Sequence, residues 1–132
     1  KGEDVDKSGP LVILATVQGD VHDIGKNIVR LMLQNSGCRV LDLGKDIPAN
    51  VIVDKAVTEK ADIIALSALM TTTMVRMQEV ANEVQSRGLS VPLLVGGAVV
   101  TAEYAKTIGA TYCPDAASAP SVVAKLMGNM DG

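Results

Sequence analysis

Apolar residues fall along this chain in short continuous runs, separated by stretches where apolar and polar positions mix. Residues 11–17 (LVILATV) form the first run and are rich in β-branched side chains. A run that is apolar throughout suits a strand buried on both faces, as in a parallel sheet. Residues 18–25 break it. Residues 26–35 then show helical spacing, with Ile28, Leu31 and Met32 on the apolar side and Val29 and Leu33 beside them. Gly37 is placed to stop that helix. A short strand is predicted over 39–43. Pro48 stands where a helix can start, and 51–59 fits one. The spacing predicts a third strand over 63–67. A third helix follows over 73–87, with Met74, Met77, Val80, Ala81 and Val84 at helical spacing and Gly88 at its end. A fourth strand is read at 92–95, a helix at 101–108, a last short strand at 111–113 and a last helix at 119–127.

Strands alternating with helices in this way predict an α/β fold. The expected architecture is flavodoxin-like (Rossmann-type): a five-stranded parallel sheet with helices on both faces, in strand order 2-1-3-4-5. Crossovers should be right-handed. Residues 1–10 carry alternating charges, a Gly and a Pro, and read as a linker; residues 11–132 read as the domain. In such sheets ligands sit outside the carboxyl ends of the strands. The turns after the first, third, fourth and fifth strands are therefore where chemistry is expected.

Composition narrows this only slightly. Of the 132 residues 48% are hydrophobic, yet only two are aromatic, both Tyr, so the core must be aliphatic. The net charge of -3 comes with no basic block, which argues against a nucleic-acid surface. No apolar run approaches the roughly 20 residues that span a bilayer, so no membrane role is expected. No signal peptide is evident at the charged start. Cys38 and Cys113 have no metal-ligand spacing and read as two buried thiols in a reducing compartment, so the expected location is cytoplasmic.

The expected turns hold most of the unusual residues. After the first strand comes Gly19-Asp20-Val21-His22-Asp23-Ile24-Gly25, which contains the chain's single histidine. A lone loop histidine beside acids reads either as a plain surface residue or as a ligand. In the second case a neighbouring carboxylate accepts a hydrogen bond from one ring nitrogen and leaves the other for a metal. Zinc is disfavoured, because no second His or paired Cys completes its set of ligands. A single protein ligand suits a metal that arrives inside a macrocycle. After the third strand, Ser67 to Thr73 is rich in hydroxyls; Thr71 or Thr72 can serve merely as a helix cap. After the fourth strand, Gly96-Gly97 is either a tight turn or a place where a ligand approaches the backbone.

Residues 19–29 (GDVHDIGKNIV) resemble the cobalamin-binding signature Asp-x-His-x-x-Gly, carried here by Asp20, His22 and Gly25. The segment is similar in particular to the version in methionine synthase and in the corrinoid carrier proteins of methyltransferase systems. Ser67-x-Leu69 and Gly96-Gly97 match that family's two other motifs in the same order, and the resemblance runs from about residue 11 to residue 127. It implies a cobalamin or related corrinoid bound base-off and His-on, with His22 as the lower ligand of cobalt and Asp20 orienting the ring. Val21 and Asp23 join the cofactor-binding set, with Ile24 and Gly25 against the corrin edge. Ser67, Leu69 and Thr71 would line the nucleotide-tail pocket, Gly96 and Gly97 would face them, and Asp115 and Ala116 would close its far end. Thr73 stands where methionine synthase has a serine that completes a relay with the Asp and His.

The resemblance also implies a role. The chain would carry a methyl group on cobalt, through methylcobalamin, cob(I)alamin and cob(II)alamin, without catalytic residues of its own. Expected partners are a methyl-donor-specific methyltransferase, a methyl-acceptor methyltransferase and a reductive activase. Methyl-carrying members have a helical bundle that covers the upper cobalt face; here that cover is expected from a bundle cut away or from another protein. Three other readings stay open: the cobalamin domain of an adenosylcobalamin-dependent mutase, a B12-sensing regulator, and a flavodoxin-like or receiver domain without corrinoid. The run Asp-Ile-Gly-Lys-Asn-Ile-Val after the histidine's turn has the methyl-transfer style. A regulator would need a DNA-binding domain, and a receiver would need an acidic pocket.

Overall fold

The computed structural model describes residues 9–131. Most of the expected linker, residues 1–8, therefore lies outside the described residues. Five strands, β1 (Leu11–Val17), β2 (Arg39–Ile47), β3 (Ile63–Ser67), β4 (Leu93–Gly96) and β5 (Thr111–Tyr112), form one sheet in the order β2-β1-β3-β4-β5. All pairings are parallel. The helices are α1 (Ile24–Asn35), α2 (Ala49–Glu59), α3 (Thr71–Met74), α4 (Arg76–Ser86), α5 (Ala102–Ile108) and α6 (Ala119–Asp131), with a 3-10 turn at Ala116–Ser118 before α6. The predicted strand order is the observed one.

Both sheet faces are covered, as a parallel sheet requires. Ile13, Val17, Ile64, Leu66 and Val95 pack on one face against Ile52 and Val53 of α2, Met77 and Val80 of α4, and Ala105 of α5. Val12, Leu14, Ile63, Ala65 and Leu94 pack on the other against Leu33 of α1 and Val123 of α6. Full burial of such a side chain contributes about 1.5–3 kcal/mol. Among the described residues no helix is long and apolar enough to cross a membrane; Cys38 and Cys113 are both free, and of the two thiols expected to be buried only Cys113 is, Cys38 being partly exposed beside the turn after α1.

Three elements differ from expectation for identifiable reasons. The helix predicted over 73–87 begins at Thr71 and is interrupted at Val75. The Tyr104 hydroxyl donates to Met74 O at 3.0 Å and so draws that carbonyl out of the helical ladder. Strand β2 runs to Ile47 instead of stopping at residue 43, because two register shifts against β1 carry its polar half along the edge. Helix α1 is turned relative to its predicted apolar side. Leu33 and the Lys26 stem are buried, whereas Ile28, Leu31 and Met32 are exposed. Neither Thr71 nor Thr72 acts as a cap; Met70 holds that position without a side-chain bond.

Candidate functional site

The sheet's second face is incompletely filled. Across β1, β3 and β4, one row in register is Leu14–Ala65–Leu94 and the next is Thr16–Ser67–Gly96. In the second row, at the carboxyl end, Ser67 and Gly96 are small, and Gly96 stands where the first row has Leu94. A cavity of about 520 Å3 opens there, running from the turns at the carboxyl ends down to Leu14, Ala65 and Leu94. Val29 of α1 and Cys113 beyond β5 also line it.

The turn after β1 delivers His22 to the mouth of this cavity. Its Nδ1 lies 2.8 Å from Asp20 Oδ1, with the imidazole 46% exposed and Asp20 fully buried. The same Asp20 oxygen accepts from the His22 main-chain N–H at 3.0 Å. Asp20 Oδ2 accepts from the Leu69 N–H at 2.8 Å and from Thr73 Oγ1 at 2.5 Å. Thr16 Oγ1 donates to His22 O at 3.2 Å and fixes the loop backbone. Burial pushes the Asp20 carboxyl up, but these four hydrogen bonds outweigh it and hold the group well below the usual carboxylate range. An ionised carboxylate only accepts. Nδ1 must therefore carry the hydrogen, and Nε2 is the ring nitrogen left free to bind a metal.

Of the other predicted site residues, Val21, Asp23, Ile24, Gly25, Ser67, Leu69, Gly96, Gly97, Asp115 and Ala116 all line the cavity. Val21, Ile24 and Leu69 are large apolar side chains left exposed around its mouth, at 58%, 77% and 41%. Thr73 is buried behind Asp20, not in the wall. Thr71 is exposed at the first residue of α3 and is likewise not part of the wall. Asp115 uses its carboxylate to accept from the Ser118 N–H and hydroxyl, which holds its carboxyl below the ordinary value. The reason for Gly97 is internal: at φ +130°, an added Cβ would stand 1.9 Å from Ala68 O. Glycine there lets the turns after β3 and β4 press together, whatever lies in the cavity.

Sequence reasoning missed Lys26, whose ammonium is buried beside the cavity and bonds both oxygens of Asp42 at 2.6 and 2.7 Å. The signal that could have found the pair is Asp42 itself, a carboxylate set between Leu41 and Leu43.

Among the described residues no group of three His, Cys, Asp or Glu side chains gathers to hold a bare metal ion. The donor set is one imidazole with an oriented free nitrogen, an apolar rim around it and a deep cavity at its side. That set fits a metal already held in a large, flat macrocycle with a long substituent.

Comparison with known proteins agrees with this geometry. Residues 10–123 match the B12 binding domain family. The trimethylamine corrinoid protein 1 of Methanosarcina acetivorans is 44% identical over 122 residues, which cover 91% of this chain and 56% of that protein. The methanol:cobalamin methyltransferase complex MtaBC from Methanosarcina barkeri superposes with a TM-score of 0.86 at 37% identity, covering 89% of this chain and 46% of that one. The monomethylamine corrinoid protein of Methanosarcina barkeri gives a TM-score of 0.85 at 34% identity, covering 95% and 61%. The chain thus spans little more than half the length of the curated relatives it matches.

Proposed function

This chain belongs to the B12-binding domain family and takes a corrinoid cofactor, and from that premise we propose that it is a methyl carrier with His22 as the lower cobalt ligand. The observation that carries the reading is the His22–Asp20 pair, with Nδ1 engaged and Nε2 free. When bound, the corrinoid would supply the methyl-transfer chemistry. The protein's own residues hold and orient. Asp20 keeps the proton on Nδ1 and raises the donor strength of Nε2. Thr73 and the Leu69 N–H hold Asp20 in turn. Val21, Ile24 and Leu69 offer an apolar seat from which a bound ring would exclude water, with Asp23 and Gly25 beside them. Ser67 and Gly96 would leave room for the nucleotide tail and its displaced base, Gly97 keeps the turns after β3 and β4 pressed together beside it, and Asp115 and Ala116 stand on the wall formed after β5.

The relatives' names support a small methylated donor, such as a methylamine or methanol, delivered by a donor-specific methyltransferase. An acceptor methyltransferase and a reductive activase complete the proposed set of partners, in the cytoplasm. The test uses cobinamide, which has no base of its own. The wild-type protein should retain it through gel filtration with the visible spectrum of nitrogen-ligated cobalt. His22→Gly should give a water-ligated spectrum without loss of fold. A water-ligated spectrum in the wild type would overturn the reading.

A further inference from the structure

Edge strand β2 contributes no residue to the cavity wall, yet it grips the His22 loop at both ends. At the near end the grip is reciprocal. Asp46 Oδ1 accepts from the Gly19 N–H at 2.7 Å, and the Asp46 N–H donates to Asp20 O at 3.0 Å. Asp46 reaches this position in a left-handed backbone conformation, φ +58°, which few non-glycine residues adopt. The register shifts between Leu14 and Val17 of β1 turn β2 at the same place; such irregularities commonly re-aim side chains beside functional sites.

At the far end, Lys26 in the first turn of α1 bonds both Asp42 oxygens, with its side chain only 1% exposed. Asp42 also accepts from the Gly44 N–H at 2.9 Å. Helix α1 has no side-chain bond at its N-cap, so the ion pair ties its first turn to the sheet. A buried ion pair adds little net stability over apolar residues of the same volume; its best-attested use is to fix one arrangement. An unusual backbone conformation at one end of the loop and a buried charge pair at the other point to a loop held in place for a purpose.

We propose that Asp46, Asp42 and Lys26 are positioning residues that preset His22 for cobalt before the cofactor arrives. The inference rests on His22 being the cobalt ligand. The Asp46 carboxylate holds the Gly19 N–H, next to Asp20 whose own carboxylate holds His22, so losing the Asp46 carboxylate loosens the base of the ligand pair. A loop freed in this way must be ordered during binding, and the ordering cost appears as lost affinity.

The experiment compares wild type with Asp46→Ala, Asp46→Asn and Lys26→Met. Amide exchange is measured in the apoproteins, and cobinamide is titrated by visible spectrum. Asp46→Ala and Lys26→Met should speed exchange over residues 19–25 while β3 and β4 stay protected. Both should weaken formation of the nitrogen-ligated cobinamide complex on the order of 10-fold, the scale typical of groups behind a metal ligand. Asp46→Asn keeps an oxygen that can accept from Gly19, so it should recover most of the loss. A purely structural role would instead raise exchange throughout the sheet. That outcome, unchanged cobinamide affinity in both variants, or no recovery in Asp46→Asn would each overturn the proposal while leaving His22 as ligand intact. A wild-type cobinamide complex without nitrogen ligation would overturn the cobalt reading and this inference with it.

Discussion

The two faces of the sheet are made from alternate residues of the same strands, and they enclose different things. On the face covered by α2, α4 and α5, Ala15, Leu66 and Val95 lie side by side in register and are all buried. On the face covered by α1 and α6, the neighbouring row is Thr16, Ser67 and Gly96, and the cavity lies against Ser67 and Gly96. One residue's shift along each strand separates a closed core from an open holder. The second face keeps a core of its own around Val12, Leu33 and Ile63 and leaves room for a ligand only toward the carboxyl ends of the strands. Conserving the strand order while thinning one row of side chains is enough to build a cavity without disturbing the fold.

Adjacent residues of β3 give the sharpest probe of that division. Ile64 is fully buried in the closed face. Ile64→Ala should cost about 2–5 kcal/mol of unfolding free energy, read by urea denaturation, with the corrinoid spectrum of the folded fraction unchanged. A larger loss of cofactor affinity than of stability would show that the faces are not independent. Ala65, one residue on, lines the cavity. Ala65→Leu should leave the apoprotein's melting temperature unchanged or higher. It should weaken cobalamin by about 1–3 kcal/mol of steric conflict, roughly 5- to 150-fold, because the tail needs the space. Cobinamide, which lacks the tail, should bind nearly as before; equal losses for the two ligands would mean the tail does not enter here. Gly97 is a poor site for this test, because its Cβ would strike Ala68 and not the cavity.

A third substitution lies at the hinge between the two regions. Thr73→Ala removes one donor to the buried Asp20 carboxylate and should destabilise the apoprotein by about 1.5 kcal/mol, measured by chemical denaturation. Thr73→Ser keeps the hydroxyl and should retain most of that stability along with nitrogen ligation of cobinamide. Equal damage from both would assign the effect to the lost methyl group, which lies near Gly19, and not to the hydrogen bond. The smallest effect is expected on the outer surface of the closed face. Arg76 and Glu79 form an exposed ion pair one helical turn apart. Arg76→Gln should change stability by only about 0.2–0.5 kcal/mol and leave cofactor binding untouched.

The sequence by itself determined the class of fold, the strand order and the place to look. Apolar runs such as residues 11–17 and the helical spacing in 73–87 are local patterns. Strand and helix periods repeat every two or 3.6 residues, so each element announces its own type. His22, Ser67 and Gly96 stood out because they interrupt those patterns at strand ends. Only the tertiary structure decided how they work. Asp20 takes two of its four hydrogen bonds from Leu69 and Thr73, 49 and 53 residues away in the chain, and no periodicity marks a residue as receiving them. The glycine at 97 is dictated by a carbonyl on a neighbouring turn. The buried side of α1 and the grip of Asp42 and Asp46 on the His22 loop depend on how an edge strand shifts register against β1. Such choices arise when separate elements are brought into contact, and the energies that fix them are between residues that periodicity cannot pair.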